Sequence, residues 1–367
     1  MEKNKLVGKL ERLQAADIVR GYAMLAMLVS HTSWRIPAFD YRVSFGWDSP
    51  VIPVIDTPQS FIGYVLQAAT PIFFLLAGLS MGLFVHSRDQ RGWGNLDITR
   101  FFLVRGVILV LLDLTLVNFD LYSLSYSYRI SVLTAIGLGL IALDLLRRLN
   151  ERWFAAVMVG LLLGTQYYLQ IRGPVEDASL RYAVLMSPPT SAGWSVEFPL
   201  LPWLPIMMLG YASSRVAAQG TGAFARYALR VGLLALALWL IVVAFDGFGN
   251  LYREERYIFT KHPPDLAYLL VYVGLAFLLL WLHSRFIALN SHVPFRLIAA
   301  LGQSALVFYV LHVKVLDLLF APLNSLDLSP LALSFALTLL ALPIMYIICE
   351  QYRSLRRRYP QSILQYI

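Results

Sequence analysis

Residues 12 to 34, RLQAADIVRGYAMLAMLVSHTSW, form an apolar segment long enough to cross a bilayer, yet they carry Asp17, Arg20 and His31. At about 100° per residue, the eleven steps from Arg20 to His31 make roughly three full turns, so Asp17, Arg20, Met24, Met27 and His31 share one stripe of a helix. A charge at the bilayer centre costs at least about 2.5 kcal/mol, so such a stripe has to face the protein interior or a water-filled cavity. Two readings stay open. Either Asp17 and Arg20 are an ion pair at one end of the span and His31 is an interfacial residue, or the stripe builds a functional site. His31 lies roughly 16 Å further along the same face, which favours the second.

Composition sets the class. Of 367 residues, 58% are hydrophobic and 14% charged, and the mean hydropathy is +0.64. A soluble globule of this length is far less apolar, and the apolar runs approach or reach the ~20 residues a span needs. The expected fold is an all-α polytopic membrane protein, residues 1 to 367 forming a single transmembrane domain. The net charge of +8 does not point to nucleic acid, because the Lys and Arg residues sit between the apolar runs and not in one patch. The single cysteine, Cys349, has no intrachain partner. The first segment does not read as a cleavable signal peptide, since Asp17 and Arg20 interrupt its start and no small-residue cleavage site follows its end.

The apolar runs fall at roughly 13 to 34, 60 to 85, 100 to 119, 131 to 147, 153 to 170, 198 to 214, 227 to 245, 265 to 283, 297 to 320 and 330 to 350, predicting a bundle of about ten transmembrane helices. With Lys3, Lys5, Lys9 and Arg12 on the cytoplasmic side, alternate loops carry Arg88 and Arg91, then Arg147, Arg148 and Arg152, then Arg215 and Arg226, then Arg285 and Arg296, and finally Arg353 and Arg356 to Arg358. These are the basic loops, so both termini are expected in the cytoplasm and His31 near the outer face. The opposite loops, 35 to 59, 171 to 197 and 246 to 264, are long and hold Trp34, Tyr41, Trp47, Trp194, Tyr252 and Tyr257. Such aromatics stack on sugar rings, and they also gather at membrane interfaces. Pro263 and Pro264 suit the first turn of the following helix.

Further polar groups sit at membrane depth. The third run has Arg100 and Arg105 at its inner end, Asp113 near its middle and Asn118 toward the outside. A mid-span Asp needs a partner, whether a neighbouring helix or a substrate. The ninth run adds Gln303, Ser304, Tyr309 and His312, with Lys314 and Asp317 near its outer end. A lone His on an apolar helix is more often satisfied structure than chemistry. In the second run Pro71 permits a kink, and Gly78 and Gly82 form a small-xxx-small packing face. No Walker loop, nucleophile elbow, HExxH or Cys/His cluster occurs, so ATP-driven transport, serine hydrolysis and structural zinc have no support, and no metal is expected.

The runs DIVRGYAMLAMLVSH, TPIFFLLAGLSMGLF, TRFFLVRGVILVLLDLTLVNF, FPLLPWLPIMMLGYASSR, FTKHPPDLAYLLVYVGL and LGQSALVFYVLHV, in that order from about residue 12 to about 320, resemble the bacterial relatives of heparan-alpha-glucosaminide N-acetyltransferase. The spacing of Arg20 and His31 is also similar to that of the type-three membrane acyltransferases, which O-acetylate bacterial surface glycans. The resemblance implies a multi-pass protein of the bacterial cytoplasmic (inner) membrane that moves an acyl group, acetyl above all, from cytoplasmic acyl-CoA to a sugar or glycan acceptor on the far side. In the lysosomal enzyme the equivalent of His31 is an Asn and the catalytic His lies in the loop after the first span; residues 35 to 59 here contain no His. His31 is thus carried over from the bacterial and type-three pattern.

Acyl transfer needs a base with a pKa near working pH, which suits His31, or a nucleophile, which His31 also provides as an acyl-imidazole. Arg20 and Asp17 complete the expected catalytic stripe. The phosphates of acyl-CoA call for forked cationic partners, for which Arg88, Arg91, Arg100 and Arg105 stand ready. Asp113, Asn118, Tyr309, His312 and Trp34 are the expected acceptor-binding residues. Acyl-CoA, the glycan and membrane lipid are the implied partners, with a homodimer as a further candidate. The competing reading is a secondary transporter or lipid-linked sugar flippase, using the same buried groups as ligands; paired halves with matching broken helices, its usual mark, are not seen.

Overall fold

The computed structural model describes residues 13–32, 36, 58–121, 123–172, 179–186, 194–245 and 261–366. Lys3, Lys5, Lys9, Arg12, Trp34 and the loop residues Tyr41, Trp47, Tyr252 and Tyr257 lie outside them. The chain runs through α1 (Gln14–Thr32), α2 (Pro58–Leu66), α3 (Ala69–Asp89) and α4 (Asn95–Leu112), then a π-helical turn, Asp113–Val117. Short strands β1 (Phe119–Asp120), β2 (Ser125–Tyr126) and β3 (Arg129–Ile130) lead to α5 (Val132–Leu146), α6 (Glu151–Arg172), α7 (Leu180–Leu185) and β4 (Ser195–Val196). There follow α8 (Leu200–Ala217), α9 (Thr221–Phe245), α10 (Leu266–Arg285), α11 (Val293–Gln303), α12 (Ala305–Asn324) and α13 (Pro330–Arg358). β1 pairs antiparallel with β2, and β3 parallel with β4.

Helix coincides with every apolar run, and among the described residues five stretches are long and apolar enough to cross a membrane: Phe61–Asp89, Thr221–Phe245, Leu266–Arg285, Ala305–Asn324 and Pro330–Arg358. The protein is an all-α integral membrane protein. Its outward faces remain apolar, with Leu233, Leu240 and Phe245 of α9 and Leu339 and Ile347 of α13 exposed, as a lipid-facing surface requires.

Two runs expected to be single spans are broken. The second divides at Gln67 and Ala68, so Pro71 sits in the first turn of α3 and not at a kink within it. Pro71 has no N–H to give the carbonyl of Gln67; the hydroxyl of Tyr268 donates to that oxygen instead, at 3.0 Å, and Tyr272 donates to the carbonyl of Tyr64 at 2.8 Å. The ninth run divides at Ser304, whose hydroxyl donates to the carbonyl of Cys349. Pro263 and Pro264 precede the helix instead of opening it, and the side chain of Asp265 caps α10 by accepting from the N–H of Tyr268 at 2.6 Å.

Glycines set the helix spacing. A Cβ on Gly78 would lie 1.9 Å from the carbonyl oxygen of Met207, and one on Gly210 2.0 Å from that of Leu75, so α3 and α8 touch backbone to backbone. Gly82 meets the side chain of Ser214 in the same seam, and the small-xxx-small face is a packing face. Gly21 and Gly302 do the same between α1 and α11, with a Cβ on Gly302 at 1.9 Å from the carbonyl of Asp17. That contact locks the polar stripe of α1 against the break at Ser304.

Gly78→Ala is therefore expected to cost about 1 to 3 kcal/mol through forced separation of the helices, whereas Gly160→Ala, with nothing within 4 Å of its Cβ, should leave stability level or slightly improved. Thermal unfolding of both variants in detergent checks this; equal shifts would contradict it.

Candidate active site

A cavity of about 510 Å³ lies among α1, α3, α4, α5, α11, α12 and α13. Arg88 and Arg91 at the end of α3, Arg105 of α4, Arg356 of α13 and Arg20 of α1 line it, together with the apolar side chains of Met24, Phe73, Phe84, Phe101, Phe102 and Leu109. Arg88 lies over the ring of Trp93 at 4.4 Å and that of Phe84 at 4.8 Å, which holds its guanidinium in place. Tyr309 lines the cavity from the first turns of α12.

Asp17 and Arg20 are brought together as the stripe requires. Arg20 reaches Asp17 Oδ1 at 3.5 Å, donates to Ser80 Oγ at 2.6 Å and to the carbonyl of Gly302 at 3.4 Å. Gln303 donates to the second Asp17 oxygen at 3.1 Å. Arg20 thus ties α1 to α3 and to the carbonyl freed where α11 ends. It serves as both a lining cation and a fastener.

One end of the stripe meets a second histidine. His31 Nδ1 lies 2.7 Å from His312 Nε2, the rings stacked with centroids 4.9 Å apart. His312 is buried, at 1% exposure, and its Nδ1 lies 2.6 Å from the carbonyl of Tyr309. The cavity wall at Tyr309 is therefore one helical turn from the histidine pair.

Other expected site residues fall elsewhere. Arg100 is exposed and is not among the residues lining the cavity. Arg105 is five positions further on, about 140° around α4, so the two cannot share a face. Asp113, fully buried, accepts from the N–H groups of Ser131 and Thr134 at 2.9 and 3.1 Å, from Thr134 Oγ at 2.6 Å and from Ser131 Oγ. It is a cap supplied from the π-helical turn after α4 to the N-terminus of α5, where backbone donors and helix dipole both favour a carboxylate. The buried Asn118 donates to the carbonyl of Arg129 at 2.6 Å and holds the β3 segment. The Lys314 ammonium donates to carbonyls of Val117 and Phe119 beside the π-helical turn. Only Tyr309, which meets Ser131 Oγ at 3.2 Å, and His312 among the described acceptor candidates reach the cavity or the histidine pair.

The structure adds residues that the sequence reading passed over. Arg356 and Tyr352 of α13 line the cavity; in the sequence Arg356 belongs to a basic run that reads as topology. At the His31 end, Arg129 and Glu197 pair at 3.7 Å, and Lys261 and Arg129 are within electrostatic range of His31. Burial raises the Glu197 carboxyl, against the pull of Arg129 and Lys261. Burial also pushes the Lys261 ammonium down to about 8, opposed by Glu197, and holds His262 at about 3, assisted by Lys261. His262 is therefore neutral at pH 7 and donates from Nδ1 to the carbonyl of Glu197. The run Lys261–His262 directly before the two prolines was the available signal.

The cation-lined cavity thus reaches Tyr309, one helical turn from the paired imidazoles. Residues 12–243 match the model of the family described as heparan-alpha-glucosaminide N-acetyltransferase, catalytic, and the chain belongs to that family. Comparison with curated proteins gives no match.

Asp113→Ala strips the N-terminus of α5 of its cap and leaves buried donors unpaired, at about 1 to 3 kcal/mol for each group. A marked fall in the thermal midpoint is expected; unchanged stability with lost acceptor binding would return Asp113 to the acceptor site.

Proposed function

We propose that the protein transfers an acyl group, acetyl in the first instance, from cytoplasmic acyl-CoA to a hydroxyl or amine of a glycan on the opposite side of the membrane. The observation that carries this reading is the arginine-lined cavity whose wall at Tyr309 lies one helical turn from the His31–His312 pair. Arg88, Arg91, Arg105 and Arg356 would hold the phosphates, and the apolar wall between Met24 and Phe102 would take the pantetheine arm. Both termini then face the cytoplasm, about ten helices span a bacterial inner membrane, and the whole chain acts as one domain.

In the direct route, the acceptor oxygen or nitrogen attacks the thioester carbonyl while His31 takes its proton. The C–S bond breaks with its electrons on sulfur, which then receives that proton. In the covalent route, a ring nitrogen of His31 attacks the thioester carbonyl and CoA leaves with the C–S electrons; the acceptor then displaces the imidazole from the acyl carbon, and its proton ends on the CoA sulfur. Arg129, Glu197 and Lys261 would orient the acceptor at the His31 end.

The test uses protein in sealed vesicles with radiolabelled acetyl-CoA on the Arg88 side and a panel of sugars on the other. Labelled sugar is expected; sugar crossing unmodified, without thioester cleavage, would establish a transporter instead. His31→Ala should lower turnover by on the order of 10² to 10⁴. Arg105→Gln or Arg356→Gln should weaken acyl-CoA binding roughly ten- to a hundred-fold, at ~1.5 to 3 kcal/mol per contact, while Arg100→Gln leaves it unchanged. Wild-type turnover in His31→Ala, or equal affinity in all three arginine variants, would overturn the assignments.

The acceptor side carries a pH expectation. Lys261 is charged below about 8 and neutral above, so KM for the acceptor should rise as pH passes that value while KM for acyl-CoA holds. Lys261→Met should abolish the rise. An acceptor KM flat from pH 7 to 9 would remove Lys261 from the acceptor site.

A further inference from the structure

We propose that His312 is a positioning residue that fixes the tautomer of His31 and leaves Nε2 of His31 as the reacting atom, an inference that rests on the acyl-transfer reading above. His312 Nδ1 lies 2.6 Å from the carbonyl oxygen of Tyr309 and 3.2 Å from that of Phe308. A carbonyl oxygen only accepts, so Nδ1 of His312 carries a proton. In the neutral ring Nε2 then holds a lone pair and no proton. That lone pair meets His31 Nδ1 at 2.7 Å, so His31 Nδ1 is the donor, and the lone pair of His31 falls on Nε2.

Protonation of both rings follows from the backbone of α12. The arrangement performs the job of the third member of a catalytic triad, which holds the base in one tautomer through the nitrogen that does not react. A neutral ring performs it without placing another charge at membrane depth, where a carboxylate would need its own partners. When the acceptor attacks the thioester, its proton goes to Nε2 of His31. Nδ1–H keeps its bond to His312 throughout, so the imidazolium is stabilised without reorientation. CoA sulfur leaves with the C–S electrons and takes the proton from Nε2, returning His31 to its starting tautomer.

The ordinary alternative is that His312 fills space beside Phe308 and Tyr309, whose rings lie 6.0 and 5.7 Å away by centroid. His312→Phe keeps the ring volume and removes the acceptor; His312→Gln restores an acceptor oxygen. The Phe variant is expected to bind acetyl-CoA as the wild type does and to lose about 10²- to 10⁴-fold in kcat with KM unchanged. Gln should recover at least about tenfold of that loss, as only a hydrogen-bonding role requires. Nitrogen NMR of histidine-labelled wild-type protein should show His31 protonated at Nδ1 and bare at Nε2, which decides the matter even where a variant fails to fold.

Full kcat in His312→Phe, a Gln variant no better than Phe, or a proton on His31 Nε2 in the wild type would overturn the proposal. Assaying His31→Ala in parallel separates the two layers. Full activity there removes the base assignment itself. An inactive His31→Ala protein beside a fully active His312→Phe protein removes the positioning role alone.

Discussion

Inside a bilayer a backbone carbonyl or a charge has no water to turn to, and at three interruptions of helices here a side chain from elsewhere in the bundle supplies the missing partner. Pro71 leaves the carbonyl of Gln67 open, and Tyr268 of α10 closes it. The end of α11 frees the carbonyl of Gly302, and Arg20 of α1 reaches it. The N–H groups opening α5 find Asp113 from the π-helical turn after α4. The same pairings that stabilise the bundle decide where its polar groups are held.

The site grows out of those repairs. Gly302 and Gly21 allow α1 and α11 to meet at backbone distance, which brings Asp17, Arg20 and Gln303 into one cluster. The break at Ser304 redirects the chain into α12, whose opening turns present Tyr309 to the cavity and His312 to His31. An uninterrupted ninth span would carry Gln303 and His312 on a single straight axis. The break lets the first contact Asp17 while the second meets the far end of the same helix.

Much of this was legible locally. The 3.6-residue period placed Asp17, Arg20 and His31 on one face, and the structure keeps Asp17 and Arg20 in contact along it. Gly78 and Gly82 announced a packing seam, because the absence of a side chain is itself a local signal. Arg100 could have been separated from Arg105 by the same helical arithmetic. What stayed hidden depends on distant partners: His31 and His312 are 281 residues apart, and Tyr268 is 201 residues from the carbonyl it satisfies. Arg356 was masked by its neighbours, since a positive-inside run and a phosphate site are written in the same residues. Asp113 looked like a ligand because a buried carboxylate always needs donors; that those donors are the backbone of α5 is a fact of the tertiary structure.

The central claim is that one continuous path carries the acyl end of acyl-CoA from the arginines to His31. Chloroacetyl-CoA tests it most directly, since a nucleophile beside the acyl carbon displaces chloride and keeps a stable carbon–nitrogen bond. Mass spectrometry of the digested protein is predicted to find the adduct on His31, suppressed by excess CoA. An adduct confined to another residue, or labelling of His31 that excess CoA leaves unchanged, would contradict the account.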